Sequence, residues 1–322
     1  MGQRRIGQLG LADAAVSRRA NKRREALDEI SGLLDWSAFE RVLAVIPVAA
    51  KGEPSFPPLM MFKVLLLQHW YELSDPAMEA ALYDRLSFQR FAGLSLDDET
   101  PDHSTIWRFR ERLTKDGLIE GLFAELSRQL DGRGLLIKHG TLIDASMVMS
   151  AARRPRKEDG QTSQVDPDAR FGADNERHRF TFGYKIHVAV DQGSSLVRNG
   201  LLTSANVQDV SVAADLIPAE AGTVYADRGY HSKALRDQLQ ARGFGDGIMR
   251  RGQRAKPLSA EEIERNHRIV PLRSPVEAVF GTLKRSYGFT RMRYFSAARN
   301  FAAFLLTCIA YNLRRSLVLV TA

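Results

Sequence analysis

The chain has 322 residues, a formal net charge of +8 at neutral pH and a hydrophobic share of 44%. This is the composition of a globular protein with room for about two domains. Its one cysteine, Cys308, excludes a disulfide framework and a Cys-rich zinc module. The positive charge favours a polyanionic partner, and nucleic acid fits it better than a membrane surface.

Neither end of the sequence has the pattern of a targeting or membrane segment. The first ten residues lack the apolar stretch of a signal peptide. The apolar C-terminal run is interrupted by Asn312, Arg314 and Arg315, which disfavours a membrane span. We therefore expect a cytoplasmic protein with no membrane partner and with Cys308 as a buried thiol.

The first 132 residues are predicted to form an arm followed by a helical domain. Residues 1–30 are polar and rich in Arg, which predicts a flexible arm. Residues 31–132 have helical periodicity. Helices are predicted to start after Pro57-Pro58, at Asp75-Pro76 as N-cap and N1, near Ser104, and before a last segment that Gly132 closes. The pattern predicts a compact all-α domain.

Residues 133–322 are predicted to alternate between strands and helices. Strands are expected within 135–148, 182–191, 195–204, 223–227 and 247–249, with a mobile loop at 152–179 and a charged connection at 250–270 before two long helices. Alternation along the second strand predicts one buried face, and Asp191-Gln192-Gly193 predicts a turn after it. This order is that of an α/β, ribonuclease H-like core with a mixed five-stranded sheet and helices.

Three acidic residues in this region are candidates for a metal site. Asp144 in TLIDAS and Asp227 in VYADRGY each end an apolar run, and Glu277 in RSPVEAVFGTLK opens a helical segment. A β/α fold can bring such residues to one point, where carboxylate oxygens suit a divalent ion. With Arg273 and Lys284 beside Glu277 on a basic chain, the pattern indicates phosphodiester chemistry on nucleic acid.

Structural roles compete with this interpretation. Asp227 precedes Arg-Gly and fits a turn or a helix N-cap. Ser274-Pro275-Val276-Glu277 matches a capping box, in which Glu277 would bond the Ser274 backbone. Helical spacing also places Glu277 and Lys284 together beside an apolar stripe, and Arg273 joins them if the helix begins a turn earlier. Both interpretations stay open at this point.

Other polar and aromatic residues receive structural predictions. Asp191 fits a hairpin turn and Asp209 fits a helix N-cap. His187 is expected to be a satisfied sheet residue, and Trp107 a core anchor of its helix, although either side chain is also able to touch DNA.

Several motifs together resemble the bacterial DDE transposases of the insertion-sequence family numbered five, close to the group numbered four. They are YELSDPAMEAALYDRLSFQRFAGLSLDDETPDHSTIWRFRERL, GYKIHVAVD, LTSANVQD, YADRGYHS and RSPVEAVFGTLKR, and they cover nearly the whole chain. The family signature is Tyr, two residues, Arg, three residues, Glu, six residues, Lys. Arg273, Glu277 and Lys284 match it, whereas Val270 stands at the Tyr position and Gln208 where relatives often have His.

The resemblance implies a set of roles. Asp144, Asp227 and Glu277 would be the catalytic residues and would bind two Mg²⁺ ions, with Mn²⁺ as an alternative ion. Arg273 and Lys284 would contact phosphates near the transposon end. Water would attack first, and the released 3′-hydroxyl would then attack target DNA. A homodimer on double-stranded DNA and a nucleoid-associated location in the bacterial cytoplasm follow from the same resemblance.

The helical domain would be a helix-turn-helix-like module that recognises the terminal inverted repeats. Residues 102–113 are the candidate groove-reading helix, with Arg108, Arg110 and Arg112 as DNA contacts; the alternative is a solvated helix face. Two other functions remain open. One is a Mg²⁺-dependent nuclease on the same fold, and the other is a non-catalytic DNA-binding regulator derived from a transposase, for which the departure at Val270 is the one argument.

Overall fold

The structure is a computed structural model that describes residues 2–10, 13, 26–47, 53–156, 162–174, 179–254 and 256–321. Contacts divide the chain into two units, 1–129 with 309–322, and 130–308. The sequence-based limits of the helical and catalytic domains stay predictions. Half of the predicted flexible arm, residues 1, 11, 12 and 14–25, lies outside the described residues, as do 157–161 and 175–178 of the predicted mobile loop.

The first unit is helical. Its helices are α1 (Ala26–Leu33), α2 (Trp36–Leu43), α3 (Pro58–Trp70), α4 (Asp75–Asp84), α5 (Leu86–Ala92), α6 (His103–Lys115) and α7 (Leu118–Gly132). Helix α3 is the centre of this unit, because nine of its thirteen residues are buried. Aromatic rings pack around it, including Phe39 on Phe62 and Trp70 on Phe91. The expected starts after Pro57-Pro58 and near Ser104 are confirmed within a residue. Asp102 caps the second of these helices by accepting from the Thr105 backbone N–H (2.7 Å).

The predicted N-cap of α4 is wrong by one residue. Ser74, not Asp75, caps this helix by accepting a hydrogen bond from the Ala77 backbone N–H (3.3 Å). The Asp75 carboxylate instead accepts two hydrogen bonds from the Arg110 guanidinium, at 2.8 and 2.7 Å. A buried Arg binds a carboxylate more strongly than a backbone amide does, since the bidentate pair neutralises its charge.

The second unit contains one mixed sheet of six strands. They are β1 (Gly140–Met149), β2 (Arg170–Asp174), β3 (Arg179–Asp191), β4 (Val197–Ser204), β5 (Thr223–Ala226) and β6 (Gly245–Ile248). The order is β2-β3-β1-β5-β6, and β4 also pairs with β3. Strand β1 runs antiparallel to β3 and parallel to β5. Without β2, the order β4-β3-β1-β5-β6 fits the expected ribonuclease H-like core.

The sequence predicted five strands and missed β2, which lies inside the segment predicted to be a mobile loop. Strand β2 pairs with the first residues of β3, which begins at Arg179, earlier than expected. A short strand that contains Gly172 has little β propensity, so pairing rather than local sequence stabilises it. The one-sided burial predicted for β3 is also wrong, because His187 and Ala189 are as fully buried as Tyr184 and Val188.

Helices cover the sheet. They are α8 (Ala213–Leu216), α9 (Lys233–Ala241), α10 (Ala260–Arg273), α11 (Pro275–Ser286) and α12 (Ala297–Thr321), with 3₁₀ turns at Asp209–Val212 and Arg228–Tyr230. Helix α10 occupies most of the predicted charged connection. Its start is a capping box, in which Ser259 accepts from the Glu262 backbone and the Glu262 side chain accepts from Ser259.

Helix α12 is long and apolar enough to cross a membrane by length and composition alone. However, 67% of its apolar window is buried inside the protein. Its residues from Ile309 onward belong to the unit of the N-terminal helices, where the Trp70 indole N–H donates to the Ala310 carbonyl (2.8 Å). The helix is therefore a core element of the fold.

Candidate active site

Asp144 is positioned by the central strand of the sheet. It lies in the middle of β1 opposite Val188 of β3, and its side chain is 18% exposed. One carboxylate oxygen accepts from the Ala145 backbone N–H (2.8 Å), and the other accepts from Arg273 Nη2 (2.9 Å). A carboxylate in an apolar strand is costly unless it is paired, and Arg273 is the partner that this fold supplies.

Asp227 lies directly after β5, the strand that runs parallel to β1 on its other side. It caps the 3₁₀ turn that follows, since Oδ1 accepts from the Gly229 backbone N–H (2.9 Å). The prediction that Asp227 is an N-cap is thus confirmed. The capping bond does not use Oδ2, so a cap and a metal ligand are compatible in one carboxylate.

Glu277 lies in the first turn of α11 and its side chain is 65% exposed. The predicted capping box is wrong, because Ser274 has helical backbone angles and makes no side-chain cap bond. Helix α10 continues almost without a break into α11, with the Ser274 N–H donating to the Val270 carbonyl (3.2 Å). Arg273 and Glu277 therefore stand four residues apart on nearly continuous helix, with 3.6 Å between Nη1 and Oε1.

Arg273 is the residue that joins these elements. It contacts Asp144 on β1 and Glu277 on α11, and it is 14% exposed. The expectation that Arg273 shares the edge with Glu277 is confirmed. Lys284 lies seven residues after Glu277 on the same side of α11 and is half-buried. The phosphate contacts expected of Arg273 and Lys284 stay predictions.

The electrostatic environment of Asp144 favours additional positive charge. Burial raises the pKa of Asp144 to about 7; Arg273 and the Ala145 N–H oppose the rise, and Asp227 and Asp209 add to it. One guanidinium therefore does not offset the cost of desolvation and of the neighbouring acids. As the side chains stand, no group of three or more His, Cys, Asp or Glu in the described part of the chain is arranged to hold a metal ion.

The oxygen donors nevertheless fit a hard divalent cation. Asp144 and Glu277 already share one cation, the Arg273 guanidinium, and Asp227 adds its charge to the field at Asp144. Carboxylate oxygens are the ligands that Mg²⁺ and Mn²⁺ prefer. The ligand roles of Asp144, Asp227 and Glu277 stay predictions.

Asp209 also contributes to this environment, and its predicted N-cap role is wrong. Gln208 occupies the N-cap position, without a side-chain bond. The Asp209 carboxylate pairs with Lys185 Nζ (2.8 Å), which also donates to the Val207 carbonyl (2.7 Å). This 3₁₀ turn packs against the turn that Asp227 caps. The sequence signal that pointed here was the LTSANVQD motif, which the capping interpretation left unused.

Three buried polar side chains near the acids lack a partner for one atom within the described ranges. They are His187, at Nδ1, Tyr230, at its hydroxyl, and Arg273, at Nε. His187 Nε2 contacts Thr203 Oγ1 at 2.9 Å, so the expectation of a satisfied sheet residue holds for one ring nitrogen. Burial lowers the pKa of His187 to about 4. Burial, followed by Asp144, Asp209 and Asp227, raises the pKa of Tyr230. Tyr230 is not among the residues that the sequence predicts for the site.

The buried Asp191 confirms the predicted turn. Its carboxylate accepts from the backbone N–H groups of Ile137 and Lys138 (3.0 and 2.9 Å) and from Ser194 Oγ (2.6 Å). It ties the start of the unit to the β3–β4 hairpin and is a structural acid.

Helix α6 separates the three Arg residues that the sequence grouped together. Arg108 and Arg112 are exposed, one turn apart. Arg110 is 4% exposed and bonds Asp75 and Gln68, so its predicted contact with DNA is contradicted, and it is not on a solvated face either. Trp107 is 46% exposed, so its predicted role as a core anchor is wrong as well. The exposed arc of α6 therefore presents Trp107, Arg108 and Arg112.

Two family models match this chain, and a solved structure is similar to it. Residues 138–313, more than half of the chain, match the family model described as "Transposase DDE domain". Residues 15–112 match the model described as "Transposase domain (DUF772)". Among solved structures, the chain is similar to the piggyBac transposase in its cryo-EM synaptic complex with hairpin DNA. That likeness has 11% sequence identity and a TM-score of 0.44, over 91% of this chain and 73% of the other.

The fold therefore places one acid on the central strand of a mixed sheet, one after the neighbouring parallel strand and a third on a following helix. The extent of the DDE match shows that the chain belongs to the DDE transposase family. The assignment rests on the family models, since a TM-score below 0.5 does not establish a shared fold. A DDE domain implies dependence on divalent metal.

Proposed function

We propose that this transposase binds the terminal inverted repeats of an insertion sequence, cleaves the ends and joins them to target DNA. The observation that carries this proposal is the contact chain from Asp144 through Arg273 to Glu277, beside the Asp227 turn. The carboxylates of these residues offer oxygen donors for a metal ion, and the Arg273 guanidinium offers a basic group for a phosphate in the same cluster.

Asp144, Asp227 and Glu277 would hold two Mg²⁺ ions, with Mn²⁺ as an alternative. When bound, such ions activate an attacking oxygen and stabilise the leaving oxygen in a displacement at phosphorus. Asp144 is held in place by the sheet, because it pairs with Val188 of β3 and follows the part of β1 that pairs with β5 as far as Leu142. Glu277 is more exposed than Asp144 and Asp227, so its side chain has the most freedom to adjust.

Basic side chains would orient the DNA at this site. Arg273 presents a planar fork that suits phosphate oxygens, and Lys284 follows on the same side of α11. Val270, where relatives have Tyr, is exposed on α10 one turn before Arg273. An aliphatic side chain there offers apolar contact to a DNA end but no hydroxyl.

The helical unit would read the element ends through α6. Arg108 and Arg112 would contact phosphates or base edges, and Trp107 offers an exposed aromatic face beside them. Because both ends of an element must be held together for insertion, we expect a homodimer on DNA, located at the nucleoid.

The test is an assay with labelled element ends and a plasmid target, in Mg²⁺ and in chelator. Wild type should cleave and join the ends only with metal, and Glu277→Ala should lose both steps while it still binds DNA. Glu264→Ala, an exposed acid on α10 outside the site, is the matched control and should keep both activities. If both Glu277→Ala and wild type bind but never cut, the protein is a DNA-binding regulator. Cutting without joining would indicate a nuclease.

A further inference from the structure

The Arg273 guanidinium lies between two carboxylates in the way that a bound cation would. Nη2 is 2.9 Å from Asp144 Oδ2, and Nη1 is 3.6 Å from Glu277 Oε1. The third nitrogen, Nε, is buried and has no hydrogen-bond partner among the described residues. Because buried donors are rarely left unbonded, the Arg273 guanidinium is incompletely satisfied in this arrangement.

We propose that Arg273 is a placeholder cation: it holds Asp144 and Glu277 while metal is absent, and it releases them when a divalent ion binds. This inference rests on the proposed function, because it concerns the same carboxylates. It gives Arg273 a positioning role in the metal-free protein that is separate from its expected contact with phosphate.

The Arg273 guanidinium and a divalent ion exclude each other from the position beside Asp144, because both are positively charged. Asp144 Oδ2 already accepts a hydrogen bond from Arg273, and an ion that takes this oxygen meets the guanidinium at contact distance. A unit charge and a dication a few ångströms apart repel each other strongly near a protein surface, where the charges are screened less than in bulk water. Metal binding must therefore displace Arg273 from Asp144.

Of the two ion pairs that Arg273 makes, the pair with Glu277 is the weaker one. Glu277 is 65% exposed and its ion pair is long, so that pair contributes little to stability. Asp144 is the stronger partner. A DNA phosphate near the site would compete with Asp144 for the guanidinium and would leave the carboxylates open to metal. By linkage, metal and DNA phosphate then favour each other's binding.

The experiment measures Mn²⁺ binding to the full-length, DNA-free protein by calorimetry, with free Mn²⁺ followed by electron paramagnetic resonance. Arg273→Gln should bind Mn²⁺ at least roughly tenfold more tightly than wild type, a modest figure for removal of a unit charge this close to a dication. Arg273→Lys, which keeps the charge, should stay within a few-fold of wild type. Arg268→Gln, an exposed Arg on the same helix, is the control for net charge and should match wild type.

Thermal melts give a second readout that does not depend on activity. Saturating Mn²⁺ should raise the Tm of Arg273→Gln more than that of wild type at the same ion concentration, because stabilisation grows with affinity. Equal or weaker Mn²⁺ binding by Arg273→Gln, in a protein that melts cooperatively, would overturn the placeholder role.

A double variant distinguishes a wrong placeholder role for Arg273 from a wrong location of the metal site. Adding Asp144→Asn to Arg273→Gln should abolish the tight Mn²⁺ binding. If the double variant binds Mn²⁺ as Arg273→Gln does, the ion lies elsewhere, and the metal site and the placeholder role are both wrong.

Discussion

Arg273 Nη2 lies 2.9 Å from Asp144 Oδ2, so a residue at the end of helix α10 is bonded to the central strand of the sheet. The two residues are 129 positions apart in the chain. Their contact brings the helix that carries Glu277 to the strand that carries Asp144. The proposed active site therefore forms only when the sheet and the helices of the second unit have folded together.

Replacement of Asp144 should abolish the chemistry and leave DNA binding intact. Asp144→Asn keeps the shape of the side chain and removes its charge, so both end cleavage and joining should fall by roughly a thousandfold or more. Gel-shift and cleavage assays on the same preparations check this. Asp215→Asn, an exposed acid on α8, should be as active as wild type. Near-normal cleavage by Asp144→Asn would remove it from the catalytic set.

The raised pKa of Asp144 should make the stability of the metal-free protein depend on pH. Burial raises the folded-state pKa of Asp144 from 3.8 to about 7. The unfolded chain therefore loses this proton first, and the free energy of unfolding falls as pH rises from about 4 to about 7, by at most about 4 kcal/mol. Below and above this window the contribution is constant.

Urea unfolding in chelator, from pH 4 to 8, measures this effect. The free energy of unfolding of Asp144→Asn minus that of wild type should grow across the window and then level off. A difference that is flat, or that shrinks with pH, would contradict a buried Asp144 with a raised pKa.

Arg110 should matter for folding and not for DNA binding. Arg110→Ala leaves the Asp75 carboxylate without its bidentate partner, and we expect a loss of about 3 kcal/mol in the free energy of unfolding. Arg108→Ala, two residues away and exposed, should change it by less than about 0.5 kcal/mol. Removing both charges with Arg110→Met and Asp75→Asn should cost less than Arg110→Ala alone. Equal stability of Arg110→Ala and Arg108→Ala would show that the pair is not structural.

The exposed arc of α6 should carry the salt dependence of DNA binding. Arg108→Ala and Arg112→Ala should each reduce the slope of log affinity against log salt by about one, because one phosphate contact is lost. Arg128→Ala, an exposed Arg on α7 that pairs with Glu125, should leave the slope unchanged. Fluorescence anisotropy with a labelled duplex at several salt concentrations measures it. Unchanged slopes in both α6 variants would place the DNA on another surface.

Much of the second unit could be predicted from its sequence. The strands that carry Asp144 and precede Asp227 have strong apolar patterns, and the hairpin turn at Asp191 has its usual residues. Strand β2 could not be found this way, because its pairing partner is the unexpected early part of β3. Helix α10 had a readable start at Ser259 and Glu262, but Pro271 and the many charges made the segment resemble a connection.

The errors at individual residues have one physical cause, which is that local patterns do not show what packs nearby. Arg108 and Arg112 are four residues apart and share a face, whereas Arg110 points away from them, so helical spacing alone could have separated it. Its partner Asp75 came from another helix. Ser274 looked like an N-cap, yet the preceding helix runs through it. Tyr230 belongs to the YADRGYHS motif, but only the fold shows that it is buried near three acids.

Asp144, Asp227 and Glu277 are proposed to surround one divalent-metal site. Fe²⁺ in place of that ion generates hydroxyl radicals with ascorbate and peroxide, and the resulting cuts in the full-length chain map where the ion is bound. We expect cuts near residues 144, 227 and 277 together, suppressed by excess Mg²⁺ and lost in Asp144→Asn. Cuts confined to another part of the chain, or the same pattern in Asp144→Asn, would contradict this proposal.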